Sequence, residues 1–164
     1  MKALVWFRND LRIEDNEALT AASKDEILPV YIYDQEFGAA SKWYLHQALK
    51  KLEKDLKSPL CIRKGNAERI ILELVKKHKI QNVYWSRQYE PELITRDKKI
   101  KATLKKEGIE AKSFSGFLLV EPWKTMNKSG KPYQVFTPFW RNLNKIYQHK
   151  NCLLYTSPSP RDRG

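Results

Sequence analysis

What most constrains this chain is a repeated alternation of two kinds of segment. Five short runs rich in β-branched and aromatic residues, Ala3 to Phe7, Ile27 to Tyr33, Leu60 to Arg63, Asn82 to Ser86 and Ala111 to Phe114, are separated by stretches of helical period. The runs are nearly continuous in apolar residues, as in strands buried on both faces. Between them, Leu45, Ala48, Leu49, Leu52 and Leu56 recur at i, i+3, i+4 and i+7, and Ala67, Ile70, Ile71, Leu74 and Val75 do the same. Parallel strands cannot be joined by a tight turn, so strand, helix and strand in succession is the unit of a parallel sheet. The expected fold is α/β: an open, five-stranded, mostly parallel, Rossmann-like sheet with helices on both faces.

The punctuation agrees with this reading. Ser41 can cap the helix that Ser58 and Pro59 stop, Asn66 can cap the next, and Pro91 and Gly108 bracket a third. Residues 115–136 keep no sustained period, and a last helix is expected from Thr137 or Pro138. A chain of 164 residues is of single-domain size. At that size folding buries roughly 70% of the surface of the unfolded chain, enough for a real core.

Charge suggests a partner, and position argues against one. Lysine and arginine outnumber aspartate and glutamate 31 to 19, for a net +12 that would suit nucleic acid. Yet Lys50, Lys51, Lys54 and Lys57, then Lys76, Lys77 and Lys79, then Lys98, Lys99, Lys101, Lys105 and Lys106 fall toward helix C-termini. There each complements the helix dipole by about 0.3–1 kcal/mol. In an open α/β sheet that end lies opposite the carboxyl ends of the strands, where ligands bind. Cys61 and Cys152 form neither a disulfide framework nor a metal-ligand pattern, which suits a reducing compartment. No apolar window has the length of a membrane span, and a cytoplasmic protein without a membrane partner is expected.

Two kinds of chemistry find no support. After the first strand comes "RNDLRIEDN", with no glycine to bring a backbone against a pyrophosphate. His46, His78 and His149 lie on helical patterns rather than at strand ends, so no base for a hydrolytic triad is legible. The densest signal is "VWFRNDLRIEDNEAL", a buried strand followed by a loop in which Arg8, Asp10, Arg12, Asp15 and Asn16 can satisfy one another, with Asp15 or Asn16 capping a short helix from Glu17.

That opening resembles the photolyase and cryptochrome family, whose N-terminal segments carry W-F-R-x-D-L-R followed by D-N. "YEPELITRD" (Tyr89 to Asp97) and "GKPYQVFTPFW" (Gly130 to Trp140) resemble the family in the same order. The resemblance implies that residues 1–151 are the N-terminal antenna domain of a deoxyribodipyrimidine photolyase, which uses blue light and FAD to repair DNA. FAD and the contact with DNA would belong to a helical domain beyond this chain, so the chain alone is not expected to be active, and a monomer is expected. A cryptochrome photoreceptor is the alternative within the family, and a stand-alone cofactor- or nucleotide-binding module the alternative outside it.

The resemblance also bears on the antenna. Where folate-binding relatives carry Asn-Glu, this chain has Glu92 and Leu93. Of the acids that flank the same loop in deazaflavin-binding relatives, Glu90 is present and Gln88 stands for the other. A deazaflavin is thus favoured over methenyltetrahydrofolate. A planar chromophore needs an apolar slot and a few polar groups for its ring edge, which Tyr33, Asp34, Phe37, Ser41 and Glu90 can supply from adjacent strand ends; Glu90 can alternatively pair with Arg8 or Arg87. In "FTPFW", Phe136, Phe139 and Trp140 read as an interdomain anchor more than as a chromophore wall. The closing "CLLYTSPSPRD" resembles the translation of a sequencing-library adaptor, which would make residues 152–164 a foreign, unstructured tail.

Overall fold

The computed structural model describes residues 1–147. Strands β1 (Lys2–Phe7), β2 (Glu26–Tyr33), β3 (Cys61–Lys64), β4 (Asn82–Ser86) and β5 (Glu110–Phe114) alternate with helices α1 (Glu17–Ala22), α2 (Ala39–Leu56), α3 (Ala67–His78) and α4 (Pro91–Lys106). The strands form one sheet in the order β3-β2-β1-β4-β5, and every neighbouring pair is parallel. The chain therefore builds outward from β1 to β3, returns through α3, and continues on the other side of β1 with β4 and β5. Each of the five expected strands is present to within a residue at either end.

Because successive side chains of a strand point to opposite faces, the central strands feed two cores. Leu4, Trp6, Val30, Ile32, Val83 and Trp85 pack with Ile70, Ile71, Leu74 and Val75 of α3 and Ile100 and Leu104 of α4. Ala3, Val5, Phe7, Tyr31 and Tyr84 pack with Ala18 and Ala22 of α1 and Leu49 and Leu52 of α2. β1, between two neighbours and two helical layers, is buried from Ala3 through Phe7. The expectation that all five strands are buried on both faces fails at the sheet edges. β3 is mostly exposed, with Ile62 49% accessible, because among the described residues nothing pairs beyond it.

The caps follow local chemistry. Asn16 Oδ1 accepts from Leu19 N–H at 3.0 Å and Asn66 Oδ1 from Arg69 N–H at 3.0 Å, each satisfying an otherwise free donor of the first turn. Ser41 is not the cap of α2. That helix starts earlier, at Ala39 after Gly38, so Ser41 lies within its first turn. It ends at Leu56, where Lys57 turns left-handed (φ 51°) just ahead of Ser58 and Pro59.

The chain divides into two compact units, residues 1–117 and 118–164. The second contains a short 3-10 turn (Pro122–Lys124) and helix α5 (Phe136–Ile146), which begins one residue ahead of the expected start. On α5, Phe136 stacks on Trp140 (centroids 6.0 Å apart, 14° between planes), and Tyr133 meets Phe139 edge-on. Phe136 and Trp140 are exposed. The expectations for His149 and for the tail 152–164 lie outside the described residues. Among the described residues no helix is long and apolar enough to cross a membrane.

Tyr31 couples this core to pH. Burial, reinforced by the negative charge of Asp34, pushes its hydroxyl up to about 12. A tyrosine whose pKa is raised by folding stabilises the fold fully below its ordinary value near 10, and that contribution is lost as pH rises toward 12. Alkaline titration of denaturant stability should reveal a loss of up to about 2 kcal/mol over this window. In Tyr31→Phe the loss should be clearly smaller.

Candidate functional site

The strand order reverses between β1 and β4, and the loops that leave their carboxyl ends part in opposite directions, opening a crevice. The wall of this crevice is built on Arg8, the first residue after β1. Its Nη1 donates to both carboxylate oxygens of Asp97 (3.1 and 2.8 Å), and its Nη2 donates to the carbonyl of Ser86 at the end of β4. Asp97, on α4, also accepts from Trp85 Nε1 (3.1 Å) and from Arg96 Nε and Nη2 (3.3 and 3.1 Å). Arg8 N–H donates to Asp10 (2.9 Å), whose other carboxylate oxygen accepts from Ser86 Oγ (2.6 Å) and Asn16 Nδ2 (3.2 Å). One connected set of hydrogen bonds thus ties the end of β1, the end of β4, the N-cap of α1 and the second turn of α4. Burial lowers the Arg8 pKa and Asp97 works against that fall; guanidinium remains the charged form at any pH a protein meets.

Two small concavities open on this wall. One lies between the loops after β1 and β4, bounded by Arg8, Asn9, Arg87, Gln88 and Gly116. The other lies toward β2, bounded by Trp6, Arg8, Asp34, Phe37 and Gln88, and encloses about 20 Å³, room for roughly one water molecule. Arg96 spans this second cleft: Nη1 donates to Asp34, Nη2 to Gln88 Oε1 (3.1 Å), and its guanidinium lies 5.0 Å from the Trp6 ring, with that of Arg8 4.6 Å from the same ring.

Of the residues expected at a site, Asp34 and Phe37 line this cleft. Tyr33 stands behind them, edge-on to Phe37 with centroids 5.6 Å apart and with Lys64 Nζ 5.6 Å from its ring. Ser41 and Glu90 do not line it. Ser41 is exposed in the first turn of α2, and Glu90 precedes α4, its Oε2 accepting from the N–H of Tyr89 at 3.0 Å. The pairing of Glu90 with Arg8 weighed above does not form, because Asp97 takes the guanidinium in a two-oxygen contact. Outside the cleft, Glu36 sits between Lys42 (3.3 Å) and Lys64 (3.4 Å), whose hydrogen bonds hold its carboxyl below the usual range.

Sequence reading missed Trp6, Arg8, Gln88 and Arg96 as members of the cleft. Trp6 reads as plain core, and Arg8 reads as locally paired because its own loop supplies acids. The usable signal was the "TRD" that closes "YEPELITRD": an arginine followed by an aspartate on a helix that starts at Pro91. The assembled groups are donors, cations and aromatic faces. They suit holding a polar-edged ring and supply no nucleophile paired with a base.

The crevice also depends on one close approach of backbones. A Cβ at Gly116 would lie 2.6 Å from the Arg87 carbonyl oxygen, a contact that side chains do not tolerate. Gly116→Ala must therefore push the exit of β5 away from that of β4. The expected cost is about 1–3 kcal/mol in urea denaturation, against little effect from Gly38→Ala, where nothing lies within 4 Å.

The family model described as DNA photolyase matches residues 3–160. The deoxyribodipyrimidine photo-lyase of Agrobacterium fabrum is 42% identical over 148 residues, covering 85% of this chain and 31% of that protein. Cryptochrome-2 of Arabidopsis thaliana is 36% identical, covering 85% of this chain and 25% of its own length. Among solved structures, a bacterial class III photolyase from Agrobacterium tumefaciens superposes with a TM-score of 0.80 at 41% identity, covering 87% of this chain and 31% of that one. An archaeal photolyase from Sulfolobus tokodaii, described with two FAD molecules and an implied novel light-harvesting cofactor, superposes with a TM-score of 0.72 at 30% identity, covering 88% of this chain and 35% of that one. The chain thus spans about a third of the length of these photolyases.

Proposed function

The chain belongs to the DNA photolyase family, and from that premise we propose that its α/β unit is the antenna domain of a light-driven, flavin-dependent deoxyribodipyrimidine photolyase. The observation that carries this reading is the match of an all-parallel β3-β2-β1-β4-β5 sheet to a photolyase at 41% identity, joined to a donor-rich cleft at the carboxyl ends of its strands. In this reading FAD and DNA are held outside the residues described above. The α/β unit collects light by binding a second chromophore and transferring its excitation energy.

The residues proposed for that chromophore are Tyr33, Asp34, Phe37, Ser41 and Glu90. Phe37, with Tyr33 behind it, offers an aromatic wall and Asp34 an acceptor for a ring-edge donor; Glu90, exposed ahead of α4 and outside this cleft, is proposed as a second acceptor for the part of the ring that projects beyond it. Closed, the cleft holds no more than a water molecule, so the ring enters only when its walls part. A tricyclic deazaflavin is favoured over a folate by Glu90 in the loop after β4 and by Glu92 and Leu93 where folate binders carry Asn-Glu. The relative described with a second FAD lends the same support to a flavin-like ring. A protein in which this domain serves a cryptochrome is the second reading, favoured by the 36% identity to Cryptochrome-2. The proposed protein is cytoplasmic and monomeric.

The test is a fluorescence titration of the chain with a deazaflavin and with methenyltetrahydrofolate. The expected result is stoichiometric binding of the deazaflavin, weakened about threefold or more in Glu90→Ala because a ring-edge donor loses an exposed acceptor, roughly 0.5–1.5 kcal/mol. A Lys76→Ala, Lys105→Ala control should match the wild type. Tighter binding of the folate, or equal binding by Glu90→Ala, would overturn the assignment.

A further inference from the structure

Two buried donors in the cleft have no acceptor. Trp6 is 1% and Arg8 7% accessible, both line the cavity toward β2, and neither Trp6 Nε1–H nor Arg8 Nε–H meets a hydrogen-bond partner in the structure. Buried donors are rarely left unpaired, and each orphan costs about 1–3 kcal/mol. The neighbouring groups do not lack partners: the other two nitrogens of Arg8, the second indole Trp85 and the guanidinium of Arg96 all donate at this wall. Tyr33 Oη, behind the cleft, is a third buried atom without a partner; the two orphan donors on residues that line the cavity mark the place of an acceptor supplied from outside the chain.

The opposite wall explains how a ligand reaches them. Arg96 is anchored on α4 and holds Asp34, beyond the end of β2, and Gln88, beyond the end of β4, so one side chain straps two loops across the cleft. Its pair with Asp34 is partly accessible: the side chains of Arg96 and Asp34 are 22% and 21% exposed, against 6% and 12% for Arg8 and Asp97. An ion pair in contact with water contributes little and exchanges readily, whereas the buried pair is costly to part. Arg96 is also held by Asp97 through Nε and Nη2, so it is its contact with Asp34, and not the whole side chain, that yields before the floor does.

We propose that this cleft recognises a planar ligand through an acceptor edge, a ring carbonyl or carboxylate that receives hydrogen bonds from Trp6 Nε1 and Arg8 Nε, and that Arg96 is the strap that releases Asp34 to admit it. This deepens the antenna reading, since it names the edge of the ring that faces the floor, and it adds Trp6, Arg8 and Arg96 to the residues of that site. Replacing Trp6 by phenylalanine removes one donor and keeps an aromatic face.

The test uses the full chain and two probes, a deazaflavin and orotate, a small planar ring that carries both carbonyls and a carboxylate and absorbs no visible light. The first readout is the Trp6 indole N–H resonance, assigned by its loss in Trp6→Phe; either probe should shift it and slow its exchange with solvent. The second is calorimetric affinity, expected to fall about tenfold in Trp6→Phe, while Arg96→Gln should raise the association rate several-fold. Binding of orotate with a shifted Trp6 resonance and no binding of the deazaflavin upholds the acceptor site and sinks the antenna reading. Binding of the deazaflavin with an unmoved Trp6 resonance does the reverse. If neither probe moves that resonance in the wild-type chain, the inference is wrong; should Trp6→Phe fold poorly, the resonance is assigned instead from through-space contacts in the wild-type chain.

Discussion

The ion pair between Arg8 and Asp97 is the interaction on which the crevice depends. Arg8 is the residue at which β1 stops being sheet, and Asp97 sits on the helix that returns from β4, 89 residues further along the chain. Taking two charges out of water is costly, and a buried pair is stable only when geometry and further hydrogen bonds offset that cost. Both conditions hold here. The guanidinium meets both carboxylate oxygens, the strand-end carbonyl of Ser86 takes another of its protons, and the indole of Trp85 fills a further position on the carboxylate. Such a pair adds little net stability over an apolar equivalent. Its effect is on position, because it locks α4 against the ends of β1 and β4 at the point where the sheet opens.

That locking follows from topology. A chain that builds β1, β2 and β3 to one side and β4 and β5 to the other leaves two loops diverging from adjacent central strands, with their backbone polar groups facing a gap. The motif after β1 closes the lower part of the gap through Asp10, Asn16 and Ser86. α4 closes the upper part through Asp97 and carries Arg96 over the top. The donors left over, on Trp6 and Arg8, belong to two residues buried at this wall. A site made this way has a buried floor, where Arg8 and Asp97 meet, and a partly exposed roof, where Arg96 meets Asp34.

The sheet was legible because the evidence for it is local: apolar runs of strand length, helical periods between them, and asparagines able to cap α1 and α3. The edges were less legible, since "LCIR" is apolar enough for a central strand and only the strand order reveals that β3 is exposed. For α2, Ser41 is the better capping residue by chemistry, but Gly38 leaves β2 early enough for the helix to begin two residues ahead of the serine. The site was half legible. Asp34 and Phe37 follow directly from standing past the end of β2, whereas Arg8 and Asp97 are joined across most of the domain and each has nearer candidates for a partner. Density of charge within one loop is a poor guide to pairing when a helix from elsewhere arrives with a carboxylate already desolvated.

The most direct test is a double-mutant cycle on the central pair, with Arg8→Met, Asp97→Leu and the combination measured by urea denaturation of the same chain. If the pair locks the crevice, Asp97→Leu leaves the buried Arg8 charge without its carboxylate and costs about 3–5 kcal/mol, and Arg8→Met costs less because Asp97 keeps Arg96. The double variant then costs well under the sum, with a coupling of about 2 kcal/mol or more. Costs that simply add, or single changes that leave the midpoint where it was, would contradict the account.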